Sequence, residues 1–137
     1  MTAAVQTVTE TAKGLTANVV GTRDHRYGDA VAVAGASGAA VVIAMDKSYG
    51  TLNLTCAGLT GTNDFDLPVG EHGQEIKIVL ASKGAGNATV TVDGSATIVD
   101  IDGDAVTTIT FDTAAKYAIL RYDFNTWRLI VETSSHA

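Results

Sequence analysis

Residues 75–92, EIKIVLASKGAGNATVTV, contain two runs of alternating apolar and polar side chains on either side of a glycine-rich segment. The first run places Ile76, Ile78 and Leu80 on one face of an extended chain, and the second run alternates Thr and Val in the same way. A period of two residues is typical of a β-strand with one buried face. Because Gly and Asn between the runs favour a turn, the segment predicts two strands joined by a turn.

The same pattern continues toward the C-terminal end. Short runs rich in Val, Ile, Thr and aromatic residues occupy residues 96–101, 106–111, 117–122 and 127–131, with Asp, Gly and Asn between them. Strands that recur about every 8–12 residues with such turns predict an all-β sandwich or barrel. We predict a sandwich or jelly-roll-like domain of roughly eight to ten short antiparallel strands.

The first half of the chain is less regular. Residues 1–28 are polar and rich in Thr, which predicts an extended N-terminal arm, and residues 29–137 then form a single β-domain. Within that domain, residues 30–45 are interpreted as two strands around a turn of small residues, of which the second is a buried strand at residues 39–44, and residues 51–56 as the next strand. Residues 59–63 have the composition of a domain boundary, but we do not divide the chain there, because neither piece looks able to bury a hydrophobic core alone. No internal repeat is evident.

Charge and composition exclude several classes of partner. The 137 residues carry a formal net charge of −6 and contain no cluster of Lys and Arg, so we expect neither nucleic acid nor an anionic membrane as a partner. The single cysteine, Cys56, follows an alternating apolar run and is expected to be a small buried hydrophobe. The first residues lack the basic and apolar regions of a secretory signal, so we expect none.

Three acidic residues, Asp100, Asp102 and Asp104, alternate around Gly103 and resemble the start of a calcium loop. An EF-hand requires Gly at about the sixth position and Glu at about the twelfth, and neither position matches here. We therefore predict a hairpin turn with solvated carboxylates. Weak binding of a cation remains an alternative.

The remaining candidate catalytic and metal-binding residues have no suitable partner residues near them in sequence. Asp64 and Asp66 would share one face of a strand, but no Trp or Tyr lies near them in sequence to bind a sugar. The histidines His25, His72 and His136 are far apart and have no Cys or His at metal-binding spacing. The sequence contains no nucleophile elbow, phosphate-binding loop or zinc-binding helix motif. We expect no catalytic, metal or cofactor site, and therefore no enzyme.

Several motifs in the second half occur in a recognisable order. They are FDLP (65–68), GQEIKI (73–78), NATVT (87–91), TTITFD (107–112) and YDFNTWRL (122–129). In this order they resemble a β-module of tailed-bacteriophage virion proteins, which occurs in head decoration (cement) proteins and in tail fibres or tailspikes. The resemblance covers residues 62–132, whereas residues 29–57 have no clear counterpart.

The resemblance implies a homotrimeric structural protein of the virion. The first expectation is a decoration protein that is made in the host cytoplasm, binds the outer surface of the head and bridges subunits of the major capsid protein. In the arm, the residues expected to contact the capsid are Leu15, Val19, Val20, Arg23, His25, Arg26 and Tyr27.

The alternative is a receptor-binding module of a tail fibre or tailspike that recognises host surface glycans. It would require an exposed aromatic platform, for which Tyr117, Tyr122 and Trp127 are the candidates. A non-viral carbohydrate-binding or surface β-domain is the third possibility.

Overall fold

The computed structural model describes residues 30–44, 50–92 and 96–137. Within these ranges the regular secondary structure consists of β-strands. The prediction of an all-β domain is confirmed. The described strands are, in chain order, β1 (Ala30–Ala34), β2 (Val41–Val42), β3 (Thr51–Thr55), β4 (Asn63–Leu67), β5 (Glu75–Ser82), β6 (Ala88–Val92), β7 (Thr97–Val99), β8 (Ala105–Val106), β9 (Ile109–Phe111), β10 (Tyr117–Asp123), β11 (Thr126–Glu132) and β12 (Ser135–His136).

The strands form two sheets around a shared core. One sheet has seven strands in the order β1-β3-β5-β10-β11-β7-β8, and the other has five in the order β2-β4-β6-β9-β12. From β1 to β6 the chain passes to the opposite sheet after every strand, and each strand lies parallel to the one two positions earlier. This part of the protein is therefore a short parallel β-solenoid, in which β1–β2, β3–β4 and β5–β6 are successive rungs.

The prediction of a jelly-roll-like domain of antiparallel strands is wrong for this part of the chain. Five of the ten described strand pairings are parallel. Parallel neighbours need a crossover connection instead of a tight hairpin, and here the crossover runs through a strand of the opposite sheet. In the C-terminal part, the antiparallel expectation holds for the β10–β11 hairpin and its pairing with β5, whereas β7 and β11 are parallel.

The rungs repeat in space although no repeat is evident in the sequence. Val33 lies beside Leu54, and Leu54 beside Leu80, so equivalent positions share only their apolar character. The spacing along the chain also differs from one rung to the next. Both features explain why the solenoid was not expected from the sequence.

The core is made by the inward positions of both sheets. Ile76, Ile78 and Leu80 are fully buried, as the alternation in β5 predicts. The largest fully buried side chains are Trp127, Phe65 and Phe111. The predicted strand at residues 39–44 is shorter than expected, since only Val41–Val42 forms ladder pairs, although Ile43 is buried.

The corners that connect the two sheets stack closely on one another. Ala85 N donates a hydrogen bond to Leu59 O (2.9 Å), and Asn63 N donates one to Asn87 O (2.9 Å). A Cβ atom on Gly86 would lie only 2.2 Å from the backbone oxygen of Gly61. Glycine is therefore required at this position, since a side chain would push successive rungs apart.

We expect Gly86→Ala to lower the free energy of unfolding by about 2–3 kcal/mol, because the added methyl group overpacks a backbone contact. Urea denaturation of the two proteins measures the difference. Ala85→Ser, an exposed change in the same corner, is the control and should stay within about 0.5 kcal/mol of wild type. Equal stability of Gly86→Ala and wild type would contradict the close stacking.

Candidate binding surfaces

The residues expected to contact the capsid lie outside the described part of the chain. They are Leu15, Val19, Val20, Arg23, His25, Arg26 and Tyr27. The expected N-terminal arm, residues 1–28, lies outside it as well. Candidate surfaces are therefore sought among residues 30–44, 50–92 and 96–137.

The first candidate is the first-rung edge, formed by β1 and β2. Both strands lie at the edges of their sheets, and no described strand pairs with their outer sides. Ala30, Ala32 and Ala34 are exposed, and neither strand contains a charged residue or a proline. Natural sheets usually protect an edge with charge, Pro or a bulge, because unpaired backbone groups attract further strands. The first-rung edge has none of these protections among its own residues.

The second candidate is the tip of the β10–β11 hairpin. Asp123 pairs with Thr126, which leaves a two-residue loop in which Phe124 has φ 49° and Asn125 has φ 62°. Two positive φ angles are typical of a type I′ turn, where Asn and Gly are favoured. A bulky side chain is unfavourable in this conformation. Phe124 nevertheless occupies it, and the residue is 82% exposed.

A neighbouring loop supports this exposed ring. The imidazole of His72 meets the ring of Phe124 edge-on, with centroids 5.2 Å apart, and His72 Nδ1 lies 3.0 Å from Asp123 Oδ1. The loop is fixed to the hairpin by Gly73 N, which donates to Tyr122 O (2.8 Å). We call Phe124, with His72 and Asp123 at its base, the hairpin knob.

The base of the hairpin knob is rigid. Trp127 Nε1 donates to Pro68 O (3.0 Å), and Tyr122 N donates to Gln74 O (2.7 Å). Gly70 lies against the indole, where a Cβ atom would be 2.7 Å from Trp127 Cζ2. The loop can therefore lie flat on Trp127 only because residue 70 is glycine.

The aromatic platform considered for glycan binding is not formed by the expected residues. Trp127 is fully buried, and Tyr122 is nearly so, with the two rings packed edge-on at 5.0 Å. Tyr117 is half-buried, with Lys77 Nζ 4.9 Å from its ring centroid. The sequence did identify residues 123–126 as a turn, but an alternating pattern does not reveal that a turn exposes its aromatic side chain.

Asp64 and Asp66 share the outer face of β4, as expected. Thr91 Oγ1 donates to Asp66 Oδ1 (3.0 Å), and Thr89 Oγ1 donates to Asp64 Oδ1. Each carboxylate is thus bound to a Thr of β6, the parallel neighbour. The pair stabilises the register of these two strands and is not directed at an open cleft.

The turn predicted at Asp100 is confirmed. Asp100 Oδ1 accepts hydrogen bonds from the backbone N–H groups of Asp102 and Asp104, both at 2.9 Å, within the β7–β8 hairpin. These hydrogen bonds hold the pKa of the partly buried Asp100 carboxyl below its usual range. Among the described residues, no group of three or more His, Cys, Asp or Glu side chains is arranged to hold a metal ion.

A cluster that the sequence did not predict joins this turn to the C-terminal strand. His136 Nδ1 contacts Glu132 Oε1, and His136 Nε2 lies 3.5 Å from Asp100 Oδ2. The hydrogen bond to Glu132 and the charges of both carboxylates raise the pKa of His136. No local signal places these residues together, because they belong to three different elements.

The lone thiol offers no activated nucleophile. Cys56 is buried, as expected, and burial raises the pKa of its thiol above the ordinary value. A raised pKa lowers the fraction of reactive thiolate.

No family model and no curated protein matches this sequence. In the part of the chain that the structure describes, no helix has the length and apolar character needed to cross a membrane.

We expect Phe124→Gly to raise the free energy of unfolding by about 1 kcal/mol, because glycine adopts a positive φ without strain. Phe124→Ala is the matched control. It removes the ring but keeps a Cβ atom, so its free energy of unfolding should rise less than that of Phe124→Gly. Urea denaturation of wild type and the two variants ranks their free energies of unfolding. A Phe124→Gly protein less stable than wild type would show that the exposed ring stabilises the fold.

The His136 cluster predicts a pH dependence of stability. Since the pKa of His136 is raised by folding, its contribution is fully present below the unfolded pKa and is lost as pH rises through the folded pKa. We expect the difference in unfolding free energy between wild type and His136→Gln to be larger at about pH 6 than at about pH 9. A difference independent of pH would contradict the charged cluster.

Proposed function

We propose that this chain is a head decoration protein of a tailed bacteriophage. It is made in the host cytoplasm, binds the outer surface of the head as a homotrimer, and bridges neighbouring subunits of the major capsid protein. The ordered motifs of residues 62–132 support this proposal at the level of sequence. The observation that supports it in the structure is the first-rung edge, whose own residues include no charge or proline and whose outer sides pair with no described strand.

Small side chains make the first-rung edge suitable for docking another strand. The residues of β1 are AVAVA, so an incoming chain meets no bulky or charged group along the outer side of the strand. Strand addition at such an edge derives its affinity from main-chain hydrogen bonds. Residues 1–29, which include the proposed capsid-contact residues, directly precede β1 in the chain. Contacts made by both segments would therefore meet the shell at neighbouring places.

The proposed mechanism is mechanical. A protein that binds only where assembled capsid subunits meet adds its binding free energy to the assembled shell and not to free subunits. Each bridge thus opposes separation of the subunits under the pressure of the packaged genome. This function requires neither a catalytic step nor a cofactor.

The alternative is the receptor-binding module of a tail fibre, and one observation favours it. Phe124 is an exposed aromatic side chain with a carboxylate and an imidazole at its base. Such a combination is compatible with contact to a sugar ring. Against it, Asp123 Oδ1, the carboxylate oxygen that lies 3.0 Å from His72 Nδ1, is buried and therefore not accessible to a sugar hydroxyl.

The copy number of the chain in purified virions tests the proposal. Quantitative mass spectrometry should find hundreds of copies in a simple ratio to the major shell protein. A handful of copies would favour the tail alternative, and absence from the virion would overturn both.

We expect Ala32→Lys with Ala34→Lys to weaken binding to undecorated heads at least tenfold. Lysines on an edge strand oppose the addition of another strand, and both positions are exposed, so the fold should persist. Ala81→Lys with Ala114→Lys adds the same charge at exposed sites elsewhere and is the matched control. Co-sedimentation with heads measures binding. Equal loss in both double variants would assign the effect to charge and not to the edge.

A further inference from the structure

We infer that the outer face of the seven-stranded sheet binds an acidic segment of a partner protein through Arg121 and Arg128. The surface formed by Arg121, Arg128, Ile119, Val131 and Lys77 is called the arginine face. In one clause the inference rests on the proposed function: in a decoration protein, the acidic segment would belong to the major capsid protein. Binding of an acidic segment as such does not depend on that function.

The strand register brings these residues together. Arg121 of β10 lies directly opposite Arg128 of β11, and on the same two strands Ile119 lies opposite Val131. On its other side, Ile119 is paired with Lys77 of β5. Arg121, Arg128 and Val131 are exposed, whereas Ile119 and Lys77 are half-buried. The sequence shows no basic cluster, because the three cations come from three separate strands.

The two arginines are placed unfavourably for the folded chain alone. Side chains directly opposite each other on antiparallel strands have Cβ atoms about 5 Å apart, and like charges in such positions are destabilising. Within residues 30–44, 50–92 and 96–137, neither guanidinium forms an ion pair or a hydrogen bond. This includes Glu75, the neighbour of Arg121 on β5. A ligand explains two adjacent unpaired cations better than folding does.

The arginine face matches a carboxylate ligand in its chemistry. A guanidinium binds a carboxylate through two parallel hydrogen bonds. Because Arg121 and Arg128 are side by side, they can hold one carboxylate between them or two neighbouring ones. Arginine is also among the residues that contribute most to binding at protein interfaces.

The apolar pair beside the arginines defines the ligand further. Ile119 lies two positions from Arg121 on the same face of β10, a distance of about 7 Å. In an extended segment, residues two positions apart have the same spacing and also share a face. The arginine face therefore fits a segment with an acidic residue followed, two positions later, by an aliphatic one.

Nucleic acid fits the arginine face less well. Its affinity comes from the neutralisation of many phosphates, whereas this face has three cations on a chain with a net charge of −6. A phosphate backbone also supplies no aliphatic group for Ile119 and Val131. A protein segment supplies both kinds of group.

The N-terminal residues of the same chain are not complementary to the arginine face. Residues 1–29 contain three acidic residues, Glu10, Asp24 and Asp29, and three basic residues, Lys13, Arg23 and Arg26, so their charges cancel. An excess of carboxylates must therefore come from another molecule.

Fluorescence anisotropy with a labelled peptide tests the inference. The probe repeats Glu-Thr-Val-Thr, which places Glu and Val two positions apart, and the control peptide repeats Lys-Thr-Val-Thr. Wild type should bind the Glu peptide at least tenfold more tightly than the Lys peptide. Arg121→Gln with Arg128→Gln should weaken binding of the Glu peptide at least tenfold. Lys83→Gln with Lys116→Gln removes the same charge outside the arginine face and should bind as wild type does.

Arg128→Glu separates binding from stability. It places a carboxylate directly opposite Arg121, so the free energy of unfolding should rise, because opposite charges attract at cross-strand positions. Binding of the Glu peptide should nevertheless fall at least tenfold. A purely structural role for the arginine pair predicts a loss of stability in the same variant, which urea denaturation would detect.

Three outcomes would overturn the inference. They are a wild type that does not bind the Glu peptide, an equal loss in the two double Gln variants, and tighter binding of a single-stranded oligonucleotide than of the Glu peptide. Sedimentation velocity without peptide adds a fourth, since self-association that the double Arg variant abolishes would make a second copy the occupant.

Co-sedimentation with undecorated heads tests the source of the segment separately. Loss of head binding in the double Arg variant, but not in the double Lys variant, would place the segment on the shell. Unchanged head binding would overturn that clause alone. A wild type that binds the Glu peptide but no heads would overturn the decoration function and leave the arginine face as a binding surface.

Discussion

The close stacking of the glycine corners is the constraint on which the rest of the described structure depends. Gly86 lies against the backbone of Gly61, and a Cβ atom on Gly84 would lie 2.5 Å from the carbonyl oxygen of Cys56. Such contacts bring successive corners to the spacing of adjacent strands. A chain that turns through these corners reaches the opposite sheet instead of returning beside the strand it has just left. This geometry accompanies the parallel register of β3 with β5 and of β4 with β6.

The sequence predicts where the strands lie along the chain but not whether neighbouring strands run parallel or antiparallel. The alternation of Ile76, Ile78 and Leu80 identifies a strand with one buried face, and the structure buries all three side chains. The same alternation is compatible with parallel and antiparallel neighbours, because side chains alternate in both. Residues 83–87 were correctly interpreted as a turn, but a turn between strands of one sheet and a corner between two sheets use the same residue types. The information that separates them is the contact with Leu59 and Gly61, which is distant in sequence.

The same distinction between local and long-range contacts applies to the candidate surfaces. The turn at Asp100 was predicted because its hydrogen bonds join residues close in sequence. The cluster of Asp100, Glu132 and His136 was not, because β12 must first pair with β9 to bring it together. Trp127 and Phe124 illustrate the difficulty for aromatic residues. They are three positions apart, yet one is fully buried and the other is almost fully exposed, since the type I′ turn directs its side chains away from the sheet.

A short solenoid presents two unlike ends, and the proposed function uses the first-rung edge. At the first-rung edge the available groups are backbone donors and acceptors with small side chains around them, which suits the addition of an extended strand. At the other end, apolar side chains and Thr residues of β6, β7 and β8 line a pocket. In the proposed homotrimer, binding of the second and third edges would be intramolecular, so modest strand contacts would hold the assembly on the proposed shell far more tightly than one edge alone.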